Sequence, residues 1–534
     1  MASRRVRAFK RWMSSHGIEY SDALHFKDDP ERGISVVALC DLKEGDVVAK
    51  IPKTACLTVK TSGACQMIEA AGLGGILGLA VALMYERSLG EESSWAGYLQ
   101  LLPHQECVPF AWSLAEVDSL LCGTELHKVL QIIKEDKKFI YEDWKECIRP
   151  LLDSTPLKRK AHFFGVEEYI AAKSLVASRS FEIDDYHGPG MVPLADLCVN
   201  WPHILSCVIT IISFNHKTGA EDVHLSSVSS HHESDNNDDD DNYEYANASD
   251  DDDEPSTENS DQDRDEPDPS MGNYSSDSSD AEPSSVSGDD SSVLQMIMVK
   301  DVKVGIEIFN TYGLVGNAAL LHRYGFTEPE NSYDIVNIDL ELVLQWSSSL
   351  FSSRYARARL SLWRRLGYSG CVSQSSEYFE IAFNGEPQIE LLILLYFILL
   401  PEDTYHTLDL SLSAGESYNE AICTILSKKN NIALENTSDM STELFFTESV
   451  CNALSSLADI RESCYAIKSK EDDIEVLKSG STKDRKLYHS SVLRLSERRI
   501  LENLRNYAVT LMQSLRPAKR SSMRKRLKRN GMQH

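Results

Sequence analysis

The chain predicts an α+β fold: a β-rich unit split by a helical insert, followed by an all-α domain. Short β-branched runs bounded by turn residues occur near the N-terminus and again before residue 330. Helical periodicity fills the space between them and returns from about Glu341 to Leu515. A length of 534 residues allows roughly three or four domain-sized units and a sizeable core.

The first element is a helix, because Phe9, Trp12 and Met13 recur at the spacing of one buried face. Residues 31–52, ERGISVVALCDLKEGDVVAKIP, hold two β-branched runs around Leu42 to Asp46, whose Glu-Gly-Asp is a turn signal. They predict a β-hairpin. Helices follow: Leu77 to Glu86, a Trp95-Ala-Gly-Tyr98 segment stopping at Pro103, and amphipathic stretches through 114–149 and 166–178. Residues 191–219, MVPLADLCVNWPHILSCVITIISFNHKTG, read as a short apolar run ending in an acid and a polar turn starting at Phe214, with Cys198 to Ser213 pushed between them. From Ser226 to Ser292 the chain is Asp, Ser, Asn and Pro with almost no large apolar residues. Burial there cannot offset the entropy of ordering, and disorder is predicted. Strand pattern resumes at Val293 to Val299, turns at Asp301 to Gly305 and continues through Ile306 to Phe309. The tail after Leu515 is strongly basic.

The formal charge of −28 lies mostly in one segment: Ser226 to Ser292 carries 23 Asp and Glu against one Arg, leaving −6 for the rest. No broad basic field marks the globular part, so no direct nucleic-acid site is predicted. Twelve cysteines occur with no CxxC and sit in apolar runs such as Val36 to Cys40, which predicts reduced thiols and no metal site. The N-terminus has basic residues but no apolar signal core. Ile389 to Leu400 is too short for a membrane span and ends at Pro401, so a buried core helix is expected there, and no membrane partner.

Three remote stretches carry the chemistry: Glu31-Arg32-Gly33-Ile34; Phe214-Asn215-His216-Lys217; and Phe309-Asn310-Thr311-Tyr312-Gly313, followed by Leu321-His322-Arg323-Tyr324-Gly325-Phe326. By residue type alone, Arg32-Gly33 reads as a strand-end turn or a place for close backbone approach to a ligand. Asn215-His216 reads as an Asx turn or a polar contact, and the two tyrosines as core residues or pocket walls. Arg179, in Ser178-Arg179-Ser180-Phe181, offers a planar fork for a carboxylate or ends a solvated helix.

In combination and order these stretches resemble the signature of SET-domain protein lysine methyltransferases of the Rubisco large-subunit methyltransferase-like class. In that class a helical insert splits the SET β-fold and a helical substrate-binding domain follows. The resemblance is to its nuclear lysine methyltransferase branch and covers about residues 5–515 apart from the acidic loop. It implies SET parts at 5–60 and 186–330, the insert at 61–185, the substrate-binding domain at 331–515 and a basic tail at 516–534. It also implies S-adenosyl-L-methionine as cofactor and lysine side chains of a protein as substrate. Arg32, Gly33, Arg179, Asn215, His216, Tyr312 and Phe326 would bind the cofactor. Tyr312 would be the catalytic phenol and Tyr324 a wall of the lysine channel. A monomer is expected. The tail, with Lys519-Arg520, Arg524-Lys525-Arg526 and Lys528-Arg529, favours the nucleus over the cytoplasm.

Joining Leu197 to Phe214 gives MVPLADLFNHKTG, the uninterrupted strand and turn that this class threads through its site. The stretch 198–213 is therefore read as foreign to the site it splits, a splice or gene-model feature of whole codons that costs stability or cofactor affinity. Two alternatives stand beside the lysine reading. One is histidine methylation in the same channel, and the other is a non-catalytic peptide-binding adaptor.

Overall fold

Helix α1 (Arg4–Ser15) forms where its spacing predicts, with Ser3 capping it by accepting the Val6 amide and Val6, Phe9, Trp12 and Met13 turned inward. The structure is a computed structural model that describes residues 3–29, 33–154, 156–196, 215–227, 292–365, 378–413, 445–465, 469–478 and 484–515. Arg32, residues 198–213, nearly all of the acidic segment and the basic tail lie outside the described residues.

The first strands are β1 (Glu19–Tyr20), β2 (Leu24–Asp29), β3 (Gly33–Ala38), β4 (Val47–Pro52) and β5 (Leu57–Thr58). The turn expected between β3 and β4 exists: Gly45 has φ of 87° and Asp46 Oδ2 accepts the Lys43 amide. The two strands do not pair with each other, which corrects the predicted hairpin. β3 lies antiparallel to β2. Its other edge is taken by remote chain, the Ile308 amide donating to the Val36 carbonyl and the Ala38 amide to the Ile306 carbonyl. A long-range partner thus displaces the local one.

The insert follows as α2 (Cys65–Ala70), α3 (Gly75–Leu89), α4 (Ala96–Leu99), α5 (Leu114–Leu121), α6 (Glu125–Lys128), α7 (Leu130–Asp143), α8 (Arg149–Ser154) and α9 (Val166–Arg179). Helix α5 starts in a capping box, Ser113 with Glu116. Leu79 to Leu83 of α3 and Leu175 and Val176 of α9 are buried in one core with the N-terminal strands.

Chain then returns to the sheets as β6 (Ser180–Glu182), β7 (Pro189–Met191), β8 (Asn215–His216), β9 (Val223–Ser227), β10 (Val293–Met298) and β11 (Phe309–Asn310). The largest sheet has the order β1-β4-β10-β9. Ser226 and Ser227, assigned to the disordered segment by composition, pair with Gln295 and Leu294, because β10 offers them a register. β8 and β11 run parallel, Phe309 opposite Asn215 and Asn310 opposite His216.

After α10 (Asn317–Tyr324) come β12 (Val336–Asp339), α11 (Leu340–Leu350), α12 (Ser353–Arg365), β13 (Tyr378–Ile381), α13 (Ile389–Ile398), α14 (Glu402–Ser413), α15 (Glu448–Ser463), α16 (Lys470–Lys478) and α17 (Arg485–Leu515). The β12–β13 pair interrupts the expected run of helices. Leu391 to Ile398 are all buried in a second core, as a core helix requires. No single helix among the described residues is long and apolar enough to cross a membrane. A third, smaller cluster including Trp112, Leu126, Leu321 and Leu493 joins the insert, α10 and α17. The described cysteines are free thiols, with Cys56, Cys107 and Cys451 buried.

Candidate active site

The segment 306–310 is the axis of the site. On one side it bonds β3, the strand that begins at Gly33, and on the other it runs parallel to β8, which carries Asn215 and His216. It leads directly into Tyr312. The stretches singled out in the sequence therefore converge here, with Gly33, Asn215, His216 and Tyr312 brought to neighbouring strands by backbone pairing.

A tight turn aims Tyr312. Thr311 Oγ1 accepts the Gly313 amide at 3.0 Å, Asn310 Oδ1 accepts the Thr311 amide at 2.7 Å, and Gly313 adopts φ of 94°, a left-handed conformation that suits glycine. The Tyr312 hydroxyl donates to the Ser178 carbonyl at 2.8 Å. Its ring stacks on Tyr324 with centroids 4.0 Å apart and planes 14° apart, and lies 6.1 Å from Phe326. Tyr324 and Phe326 flank Gly325 at the end of α10, where Gly325 takes φ of 80° as its C-cap. Burial raises the pKa of Tyr324, opposed by the charge of Arg323. Beside Tyr324 a cleft of about 360 Å³ opens, lined by Phe110, Phe139, Ile140, Ala177 and His322 among others.

Arg179 corrects the sequence reading. Its fork was expected to meet a cofactor carboxylate, yet Nε and Nη2 donate to Glu106 Oε1 at 2.9 and 2.5 Å, and Nη1 donates to the Asp196 carbonyl. Both side chains are buried, at 1 % and 2 % exposure, so the guanidinium is committed inside the protein. Burial penalises the Glu106 carboxylate, and the charges of Arg179 and Arg485 overcome that penalty and hold its pKa low.

Four residues that sequence reasoning did not single out complete the corner. Ser178 gives its carbonyl to Tyr312 and its hydroxyl to the Tyr324 carbonyl. Glu106 receives Arg179. Asp196, which ends the apolar run 191–196, accepts the Tyr98 hydroxyl on Oδ2, while its buried Oδ1 has no partner. Burial pushes the Asp196 pKa well above the usual carboxylate range. In the same run Leu194 sits at φ 82°, strained backbone for a branched side chain. The only sequence signal for Asp196 was an acid closing an apolar run; Glu106 and Tyr98 had none.

On the other side of the axis, Asp222 Oδ2 accepts the Phe309 amide at 2.8 Å, and Glu328 receives the Thr218 amide at 3.2 and 3.3 Å. These bonds tie the turn after β8 to β11 and to the chain beyond α10.

Residues 351–501 match the family described as "Rubisco LSMT substrate-binding". Among curated relatives, ribosomal lysine N-methyltransferase 3 of Saccharomyces cerevisiae is 26 % identical over 62 % of this chain and 66 % of its own length, so the chain spans just under two thirds of that relative. N-lysine methyltransferase setd6 of Xenopus laevis is 23 % identical over 71 % of this chain and 70 % of its own length. Among solved structures, the SET domain of LSMT bound to lysine and AdoHcy aligns over 96 % of this chain and 94 % of its own, with a TM-score of 0.51 at 19 % identity. That likeness shows the fold: strands from both sides of a helical insert, closed by the parallel pair at Tyr312. The chain thus combines a fold like that of the LSMT SET domain with a following segment that matches the Rubisco LSMT substrate-binding family.

Proposed function

We propose that this protein is an S-adenosylmethionine-dependent protein-lysine N-methyltransferase with Tyr312 as its catalytic phenol. The observation that carries the reading is the convergence of β3, β8 and β11 on a tyrosine whose ring is stacked against Tyr324. The names of the relatives, lysine methyltransferases in yeast and frog, support it.

The residues present fit the cofactor. A buried carboxyl oxygen of Asp196 lies without a partner in the run leading toward β8, and an aromatic layer of Tyr312, Tyr324 and Phe326 stands beside the paired strands. Gly33, Asn215, His216 and Phe326 would hold it. Arg179 would not, since its fork is taken. When bound, S-adenosylmethionine supplies an electrophilic methyl carbon on a sulfonium.

The chain's own part is alignment and dryness. The Tyr312 hydroxyl donates its proton to the Ser178 carbonyl, which orients the phenol oxygen as an acceptor that would direct an incoming amine, so that the nitrogen's own lone pair points at the methyl group. The transfer needs the neutral amine. Its nitrogen would take the methyl carbon as the carbon–sulfur bond breaks with the electron pair kept on sulfur, and the surplus proton on nitrogen would then leave to solvent. The Tyr324 ring face favours an alkylammonium. The cleft beside it, with Phe110, Phe139 and Ile140 among charged Asp136, Lys173 and Arg323, would seat part of the substrate polypeptide.

The test is incubation with methyl-labelled cofactor and nuclear-extract protein, followed by mass spectrometry of the labelled residue. Methyllysine is expected, and methylhistidine or no label would reject the lysine reading. Tyr312→Phe is expected to slow transfer about a hundredfold while cofactor affinity by calorimetry changes less than about threefold. The basic clusters from Lys519 to Arg529 support a nuclear location. A fluorescent full chain should enter nuclei and one lacking 516–534 should not.

A further inference from the structure

The end of α9 that supports Tyr312 is held from the substrate-binding domain. Glu106 takes Arg179 on Oε1, and its Oε2 accepts from Arg485 Nη2 at 3.3 Å. Arg485 opens α17 and lies within the segment matched to the substrate-binding family. The residue after Glu106 packs on the aromatic corner: a β-carbon at Gly325 would fall 2.8 Å from backbone atoms of Cys107. Further along α17, His489 Nδ1 lies 3.1 Å from Thr327 Oγ1, next to Phe326. The start of α17 therefore contacts Glu106, which holds Arg179, and Thr327, which follows Phe326.

We propose that Arg485 is a positioning residue for methyl transfer, acting through Glu106 and Arg179 to fix the Ser178 carbonyl that orients the Tyr312 phenol. This rests on the reading of Tyr312 as catalytic. Ser178 and Arg179 are adjacent, so whatever fixes the Arg179 fork fixes the neighbouring carbonyl. Arg179 in turn is fixed by a buried carboxylate that Arg485 holds from the other side. Charge-assisted bonds of this kind are directional, and a carboxylate gripped at both oxygens cannot rotate. A protein seated on the helical domain would be felt at the phenol by this route.

The test uses the full chain carrying carbon-13 at the tyrosine Cζ positions, with the Tyr312 resonance assigned by its absence in Tyr312→Phe. Arg485→Met is expected to shift that resonance. It should also slow label transfer to nuclear-extract protein at saturating cofactor about tenfold, with cofactor Kd within about twofold. Arg485→Lys should restore both, and Glu106→Gln should reproduce the defect if Arg485→Met does not fold. In a Tyr312→Phe background, Arg485→Met should remove less than about twofold more, since its effect passes through the missing hydroxyl. An unshifted Tyr312 resonance, or losses that multiply in the double variant, overturns the proposal. If the wild type transfers no label to any protein, the methyltransferase reading falls. The resonance then still decides whether Arg485 positions the phenol.

Discussion

At Gly325 the backbone has φ of 80°, and the atoms a β-carbon would meet are backbone nitrogen and carbon of Cys107, which cannot swing aside as a side chain can. Conformation and contact both exclude any larger residue. Gly325→Ala is expected to cost about 2–4 kcal/mol, read as a lower denaturation midpoint at unchanged m value. Tyr98→Phe leaves the buried Asp196 carboxyl without a partner on either oxygen, and should cost about 1–3 kcal/mol in the same assay. Which residues were legible follows from how they are gathered. Tyr312, Tyr324 and Phe326 sit close together in the chain and form a readable pattern. Glu106 and Arg485 are separated by 379 positions, and an acid in a loop carries no mark of the arginine it will meet. Arg179 was legible as a fork for a carboxylate, but only the fold shows that the carboxylate is the protein's own.

Among elements, the turn after β8 depends on a titrating group. Burial raises the pKa of Glu328 to about 7, against the pull of the Thr218 amide that it accepts. The folded value lies above the unfolded one, so the folded state binds more protons. This contribution is whole below about pH 4.5 and is lost as pH rises through about 7. Glu328→Gln should abolish that loss: on going from pH 5 to pH 8, wild type should fall relative to the variant by on the order of 2 kcal/mol in urea unfolding. Asp334, raised to about 6 by burial where it accepts the first amide of α10, adds a slope of the same sign. Elements were more legible than their pairing. β3 and β4 were readable from β-branched runs and the turn at Gly45. Their partners were not, because each partner strand lies either just before them or hundreds of residues later, and local alternation does not encode which edge wins.

In the whole molecule the insert and the helical domain are locked by buried ions. Arg461 of α15 reaches Glu125 Oε1 at 2.8 Å, Glu497 Oε2 of α17 at 3.6 Å and the Gly123 carbonyl at 2.7 Å. Arg461→Met would remove the cation that joins the two carboxyl groups, leaving Lys128 beside Glu125 at 3.2 Å, and should cost about 3–5 kcal/mol in urea unfolding. None of this lock was readable from sequence, since its members look like ordinary helix-surface charges. The reading of 198–213 as an interruption rests on its flanks, which make one motif when joined, and the stretch lies outside the described residues; a chain lacking it is expected to bind S-adenosylmethionine more tightly by calorimetry. The largest sheet carries a further consequence. β4 takes β10 as a neighbour, yet the whole chain from Lys53 to Ser292 is translated between them. At about 5–20 residues per second, a nascent β4 waits on the order of ten to fifty seconds with the backbone hydrogen-bonding edge that β10 will take unmatched. A wait for that edge, ending only after Met298 has left the ribosome, is therefore built into the order of the strands.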